Sequence, residues 1–170
     1  NAIATFINDS LRLGKEVILV SSGSVAAGKG KINFKHQPSI TEKQAMAAIG
    51  QTQMMANWAK LIDRDCAQML LTSDDLHNRT RYVNIKSTLR ELLKNNALPI
   101  VNENDTVAIN ELKVGDNDNL AAYTALVAEA DTLIICSDIN GLYDADPRKH
   151  ATANLISQVQ TIDSSIYQIA

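Results

Sequence analysis

Within the stretch KVGDNDNLAAY, residues Gly115 to Asn119 supply two carboxylates and two amides in five positions. Such a cluster can cap a helix, chelate a cation or grip a polar substrate. A calcium loop fails on spacing. Asp116 and Asp118 fit its first and third ligand positions, but Leu120 and Ala121 stand fifth and sixth, where an oxygen ligand and a glycine are required. Helix capping fits better, because Asp116, Asn117 or Asp118 could each accept the unpaired N–H groups of a helix beginning near Leu120. Capping alone would need only one of them.

Comparable clusters close three apolar runs. Ser21-Ser22-Gly23-Ser24 follows EVILV, Asn102-Glu103-Asn104-Asp105 follows LPIV, and Ser137-Asp138-Ile139-Asn140-Gly141 follows TLIIC. One polar strand end is ordinary turn chemistry, whereas three on one sheet edge favour a site. Gly23 between two serines suits a turn that aims backbone N–H groups and hydroxyls at an anion. Gly23 to Lys29, GSVAAGK, has the spacing of a phosphate-binding P-loop, but Gly30 stands where that loop needs Ser or Thr. The following GKINFKHQPS also lacks helical periodicity. A glycine-rich turn explains Gly28 and Gly30 without a ligand, and Lys29→Ala is expected to leave nucleotide binding nearly intact.

Glu103, Asp105, Asp116, Asp118 and Asp138 make these loops acidic, with Lys113 the only cation near them in sequence. Two carboxylates about 4 Å apart repel by roughly 4 kcal/mol at an effective dielectric near 20. If the loops converge, Mg2+, a substrate ammonium group or lysines from elsewhere must offset that repulsion. A solvated acidic face accounts for the same composition equally well. SDINGLYDADPR adds an Asn-Gly turn and an Asp-Pro exit, and reads as a surface hairpin. Its Leu142 and Tyr143 form an apolar wall that could also support an adenine ring.

The elements that must position these residues alternate. Ile3, Phe6, Ile7 and Leu11 predict an amphipathic helix ending at Gly14. EVILVS (Glu16 to Ser21), AQMLLT (Ala67 to Thr72), LPIVN and TLIICSD predict strands. Between them, a long helix is marked by Ala45, Ala48, Ile49, Thr52, Met55, Ala59 and Ile62, with Trp58 near its apolar edge. Tyr82, Ile85, Leu89 and Leu92 mark another before Asn95-Asn96, and Leu120, Tyr123 and Val127 a third. ENDTVAINELKVGD could hold a hairpin, and a short strand near Leu155 and a terminal helix follow Pro147. Unbroken apolar strands alternating with helices imply an α/β fold, a three-layer αβα sandwich on a mainly parallel sheet.

With 170 residues, 45% of them hydrophobic, the chain reads as one domain over residues 1–170. A formal charge of -3 gives no global attraction to nucleic acid or to an anionic membrane, and neither is expected as a partner. Cys66 and Cys136 lie in apolar runs and read as buried, reduced thiols. No basic leader or signal-length apolar stretch opens the sequence, so a cytoplasmic location is expected.

VILVSSGSVAAG, KQAMAAIGQ, PIVNENDTVA, KVGDNDNLAA and SDINGLYDADPR together resemble the glutamate 5-kinase (gamma-glutamyl kinase) family of the amino acid kinase superfamily, in order and nearly end to end. NEND followed by VGDNDNL is the family-specific part, whereas GLYDADP is shared more widely. The resemblance implies ATP-dependent phosphorylation of the γ-carboxylate of L-glutamate, the first step of proline biosynthesis, with Mg2+ as cofactor. It implies that Ser22 and Gly23 hold the substrate carboxylate, that Asp105 and Asn117 bind glutamate, and that Asp105 meets its ammonium group. Asp118 would be catalytic, orienting cations and not acting as a base, because the γ-carboxylate is already ionised near pH 7. Ser137 and Asp138 would contact the nucleotide.

Proline as feedback inhibitor and a homo-oligomeric state are further implications. The family's first strand, with a phosphate-contacting lysine, should precede Asn1, and a glycine-rich segment with a second lysine should follow Ala170. The chain is therefore expected to be truncated at both ends and to lack its cationic partners. Another acceptor within the superfamily, or a catalytically silent glutamate- or proline-binding module, is the alternative. Ser24 stands where Ala is usual and Ser137 where Thr is usual, both conserving size.

Overall fold

The computed structural model describes residues 2–32, 36–108 and 117–169. They fall into two compact units, residues 1–133 and 134–170. The first is built on three parallel strands, β1 (Leu19–Val20), β2 (Cys66–Leu71) and β3 (Leu98–Glu103), in the order β1-β3-β2. Central β3 is buried from Leu98 through Asn102, as an unbroken apolar run between two neighbours should be. β1 is shorter than the run EVILVS suggests. Pro99 has no N–H to donate, and the β1–β3 ladder covers only Leu19 with Ile100 and Val20 with Val101. One further bond, from the Ser21 N–H to the Val101 carbonyl, extends it at 2.9 Å.

Side-chain alternation sends the strands' residues to two cores. Leu98 and Ile100 pack with Leu19 and Cys66 against Ala4, Ile7 and Leu11 of α1 (Ala2–Arg12) and against Met55 and Trp58 of α3 (Ile40–Ala59). On the opposite face, Val101 and Leu71 meet Ile85 and Leu89 of α5 (Arg79–Lys94) and Leu120 and Val127 of α6 (Asn117–Ala128). Helices on both faces of a parallel sheet make the αβα arrangement. Each fully buried Leu or Ile contributes about 1.5–3 kcal/mol.

Local signals set the helix boundaries. Ser39 caps α3 in a reciprocal box with Glu42, and Thr72 and Asp75 do the same for the short α4 (Ser73–His77). Gly14 ends α1 with φ +77°, the left-handed conformation that glycine adopts freely. Asn96 and Glu129 end α5 and α6 in the same way, with φ of 59° and 57°. A Glu there costs about 1–2 kcal/mol in backbone strain, so no sequence rule would have put the stop at that residue.

The second unit, residues 134–170, carries an antiparallel bridge between Tyr143 and Leu155 and ends in α7 (Ser164–Ile169). Tyr143 of SDINGLYDADPR thus pairs with Leu155, where a short strand was expected, and not across its own Asn-Gly turn, so among the described residues the surface hairpin read within that stretch is not formed. The Asp144 carboxylate secures the bridge by accepting from the Asn154 backbone and side-chain N–H groups at 2.7 and 2.9 Å, which hold its pKa below the ordinary 3.8.

Two further expectations need correction. TLIICSD forms no strand among the described residues, and Leu133, Ile134 and Ile135 stand exposed. Its β-branched composition fits a buried strand, but a strand exists only where a neighbour takes its N–H and C=O groups, which composition cannot supply. Cys136 in the same run is therefore exposed, not buried, while Cys66 is half-buried and both thiols are free. The hairpin expected in ENDTVAINELKVGD falls largely on residues 109–116, outside the described residues. No helix among the described residues is long and apolar enough to cross a membrane.

Glu129 also joins α6 to α5, accepting from Lys86 at 2.5 Å and Arg90 at 2.7 Å. The bonds from Lys86 and then Arg90 hold its pKa below the ordinary 4.5. A depressed carboxylate pKa means that the unfolded chain binds more protons, so this stability is complete above the ordinary value and lost as pH falls through the native one. Melting temperatures of the wild type and Glu129→Gln, measured from pH 7 to pH 3, should therefore converge on the acid side. A pH-independent gap between the two would contradict the ion-pair origin.

Candidate functional site

All three strands run parallel, so their carboxyl ends lie at one edge, and β1 beside β3 brings the loops after them together. A cavity of about 450 Å³ opens there. The β1 loop lines it with Ser22, Gly23 and Ser24, the end of β3 with Asn102, Glu103 and Asp105, and the start of α6 with Asn117. Four residues singled out in the sequence, Ser22, Gly23, Asp105 and Asn117, thus meet around one space. They come from segments about 80 and 12 residues apart along the chain, separations at which convergence is a property of the fold and not of local turns.

Gly23 turns the chain with φ +101° into α2 (Ser24–Lys29), so the glycine-rich turn is itself a six-residue helix. That helix lies backbone to backbone on α3. A Cβ on Gly50 would stand 1.8 Å from the Ser24 carbonyl oxygen, and one on Gly28 would stand 1.9 Å from that of Met46. At the base of the loop, the Trp58 indole N–H donates to the Ser21 hydroxyl at 3.2 Å. Buried Ser24 donates its hydroxyl to Asp105 Oδ2 at 2.8 Å, tying the β1 loop to the β3 loop.

A second tie runs through Asn102, which is only 2% exposed. Its Nδ2 donates to Gln51 Oε1 at 2.9 Å, while its Oδ1 accepts from the Glu103 N–H at 2.9 Å and from Asn117 Nδ2 at 3.2 Å. Asn117 is thereby oriented from α3 through β3. A buried amide left unpaired costs about 1–3 kcal/mol, which favours keeping Asn102 and Asn117 in this arrangement, while Gln51 Nε2, buried in the same network, has no hydrogen-bond partner among the described residues. Gln51 and Asn102 sit inside the motifs KQAMAAIGQ and PIVNENDTVA. A polar residue ending an otherwise apolar run was the signal that could have marked Asn102.

Lys29 also lines the cavity, although sequence neighbourhood pointed only to Lys113, which lies outside the described residues, as does Asp116. Lys29 is exposed there and lines the same cavity as Glu103 and Asp105.

Asp118 does not line this cavity. It is exposed in the first turn of α6, where a carboxylate suits the helix dipole. Successive helical side chains diverge by about 100°, so Asn117 and Asp118 serve different neighbours. Ser137 and Asp138 belong to the other unit. There the Ser137 hydroxyl accepts from the Ile139 N–H at 3.4 Å, and Asp138 accepts from Arg148 in an exposed ion pair of small energetic weight.

The amino acid kinase family model matches residues 1–165. A glutamate 5-kinase of Idiomarina loihiensis is 53% identical over 99% of this chain and 46% of that relative. One from Salinibacter ruber is 56% identical over 98% of this chain and 45% of the relative, and one from Xanthomonas campestris pv. campestris 47% identical over 99% and 47%. The chain spans under half the length of these relatives. With the family model covering the sheet, both helical layers and the cavity, the chain belongs to the amino acid kinase family.

Proposed function

We propose that the cavity at the carboxyl edge binds L-glutamate, and that the full-length protein phosphorylates its γ-carboxylate with ATP to give L-glutamyl 5-phosphate, the first step of proline biosynthesis. The observation that carries this reading is the meeting of Ser22, Gly23, Asp105 and Asn117 around one cavity that Lys29 also lines. Glutamate brings two carboxylates and an ammonium group. Asp105 pairs with the ammonium, the Ser22–Gly23 turn receives a carboxylate, Asn117 supplies a neutral amide, and Lys29 adds positive charge. The relatives that match nearly the whole chain bear the same activity in their names.

In the reaction, an ionised γ-carboxylate oxygen bonds to the γ-phosphorus of ATP, the bond to the β–γ bridging oxygen breaks, and ADP leaves with the electron pair. No proton need be removed. ATP enters as the phosphoryl donor, contacted by Ser137 and Asp138, and the Arg148 pair must yield Asp138 when nucleotide binds. Among the described residues, no group of three His, Cys, Asp or Glu side chains could hold a metal ion. Mg2+ belongs to the same proposal as the usual partner of the nucleotide phosphates. One kinase domain over residues 1–170, a cytoplasmic location, proline as feedback inhibitor and homo-oligomer formation belong to the same proposal.

The test is ADP release by the full-length protein with a panel of acceptors: L-glutamate, L-aspartate, glutarate and a nucleoside monophosphate. Turnover is expected with L-glutamate, with glutarate at least tenfold poorer because Asp105 then faces no ammonium group. Turnover with a nucleoside monophosphate and none with glutamate would overturn the proposal.

A further inference from the structure

We propose that Ser24 is a positioning residue for recognition of the substrate's α-ammonium group, acting through Asp105; this rests on the glutamate reading above. Ser24 is 4% exposed, and its hydroxyl donates to Asp105 Oδ2 at 2.8 Å. Its backbone cannot drift, because the Ser24 carbonyl lies where a single methyl group on Gly50 would collide with it. The hydroxyl therefore starts from the first residue of α2, whose backbone is packed against α3, and ends on a carboxylate carried by the loop after β3.

A carboxylate at a loop tip can turn about its terminal torsion through a broad range. A hydrogen bond from an anchored donor narrows that range and contributes to how the Asp105 carboxylate plane faces the cavity. An ammonium group gains from this directly, because charge-assisted hydrogen bonds depend on a short, aligned approach. A substrate carboxylate held by Ser22 and Gly23 gains little. Ser24 thus bears on the choice between an amino acid and the corresponding dicarboxylate without an amino group.

The sequence alone marks Ser24 as a size-conserving change and as one of two serines around Gly23 that could face an anion. Its position one residue after the substrate turn gives no hint of a partner 81 residues away.

The test uses the full-length protein, with L-glutamate as substrate and glutarate, which lacks the ammonium group, as competitive inhibitor. Ser24→Ala removes one oxygen and introduces no clash. It should raise the glutamate KM roughly tenfold, change kcat less than about twofold, and leave the glutarate Ki within about twofold. Ser24→Thr keeps the hydroxyl and should stay within about threefold of the wild-type KM. Equal weakening of glutamate and glutarate, or no weakening of either, overturns the role of Ser24. Asp105→Ala separates the two levels. If it abolishes the preference for glutamate while Ser24→Ala does not, only the Ser24 proposal fails; if it leaves the preference intact, the Asp105–ammonium reading itself fails.

Discussion

Asp118→Asn in the full-length protein is expected to lower kcat by about a hundredfold or more, with the glutamate KM changing less than about threefold. The substitution keeps size and shape and removes one negative charge. Because the γ-carboxylate needs no base, a loss of rate on this scale would come from the cationic groups that neutralise the moving phosphoryl group and that Asp118 orients. The geometry separates this residue from its neighbour. Asn117 lines the cavity and is held by Asn102, whereas Asp118 projects from the same turn into a different, exposed region. Asn117→Ala should accordingly raise the glutamate KM roughly tenfold and change kcat little. Steady-state kinetics of the two variants decide the assignment, and the opposite pairing of effects would contradict it.

Gly50→Ala should lower stability by about 3 kcal/mol or more, although alanine is the better helix former by about 1 kcal/mol. The added Cβ would lie 1.8 Å from the Ser24 oxygen, 2.5 Å from the Gly28 nitrogen and 2.8 Å from the Ser24 carbonyl carbon, all backbone atoms. No rotamer change can relieve that, so α2 must move away from α3. The same shift would displace Gly23, Ser24 and Lys29 from the cavity. Thermal unfolding should show a drop of roughly 6–12 °C, with glutamate no longer raising the melting temperature. Gly30 is the control. It has φ -71° and nothing within 4 Å of an added Cβ, so Gly30→Ala should be neutral or slightly stabilising. An unchanged melting temperature for Gly50→Ala would mean that the two helices are not in backbone contact.

Elements with a strong period and a chemical stop were legible in the sequence. The spacing of Ile3, Ile7 and Leu11 with Gly14 gave α1 nearly to the residue, and the apolar runs of β2 and β3 lie within one residue of the strands observed. What failed depended on pairing. TLIICSD has the composition of a strand and no ladder partner among the described residues, and EVILVS is cut short where Pro99 offers no N–H. The short helices α2 and α4 escaped notice because five or six residues do not establish a helical period.

The site divides along the same line. Ser22, Gly23, Asp105 and Asn117 were recognisable from motifs that end apolar runs or open a helix. Ser24 and Lys29 were noticed only as part of a polar strand end and a failed P-loop, and Gln51 only within a family motif, since their importance lies in what they touch across the fold: Asp105, the cavity and Asn102. A count of charge along the chain gave the acidic loops only Lys113 nearby, and only folding places Lys29 in the lining of the same cavity.

The most direct test of the central claim is hydroxylamine trapping of the acyl phosphate formed by the full-length protein with L-glutamate and ATP. Glutamyl hydroxamate accumulating in step with ADP, and only when glutamate is present, is the predicted result. ADP release without hydroxamate, or hydroxamate formation equally efficient in Asp105→Ala, would contradict the assignment of this cavity to glutamate phosphorylation.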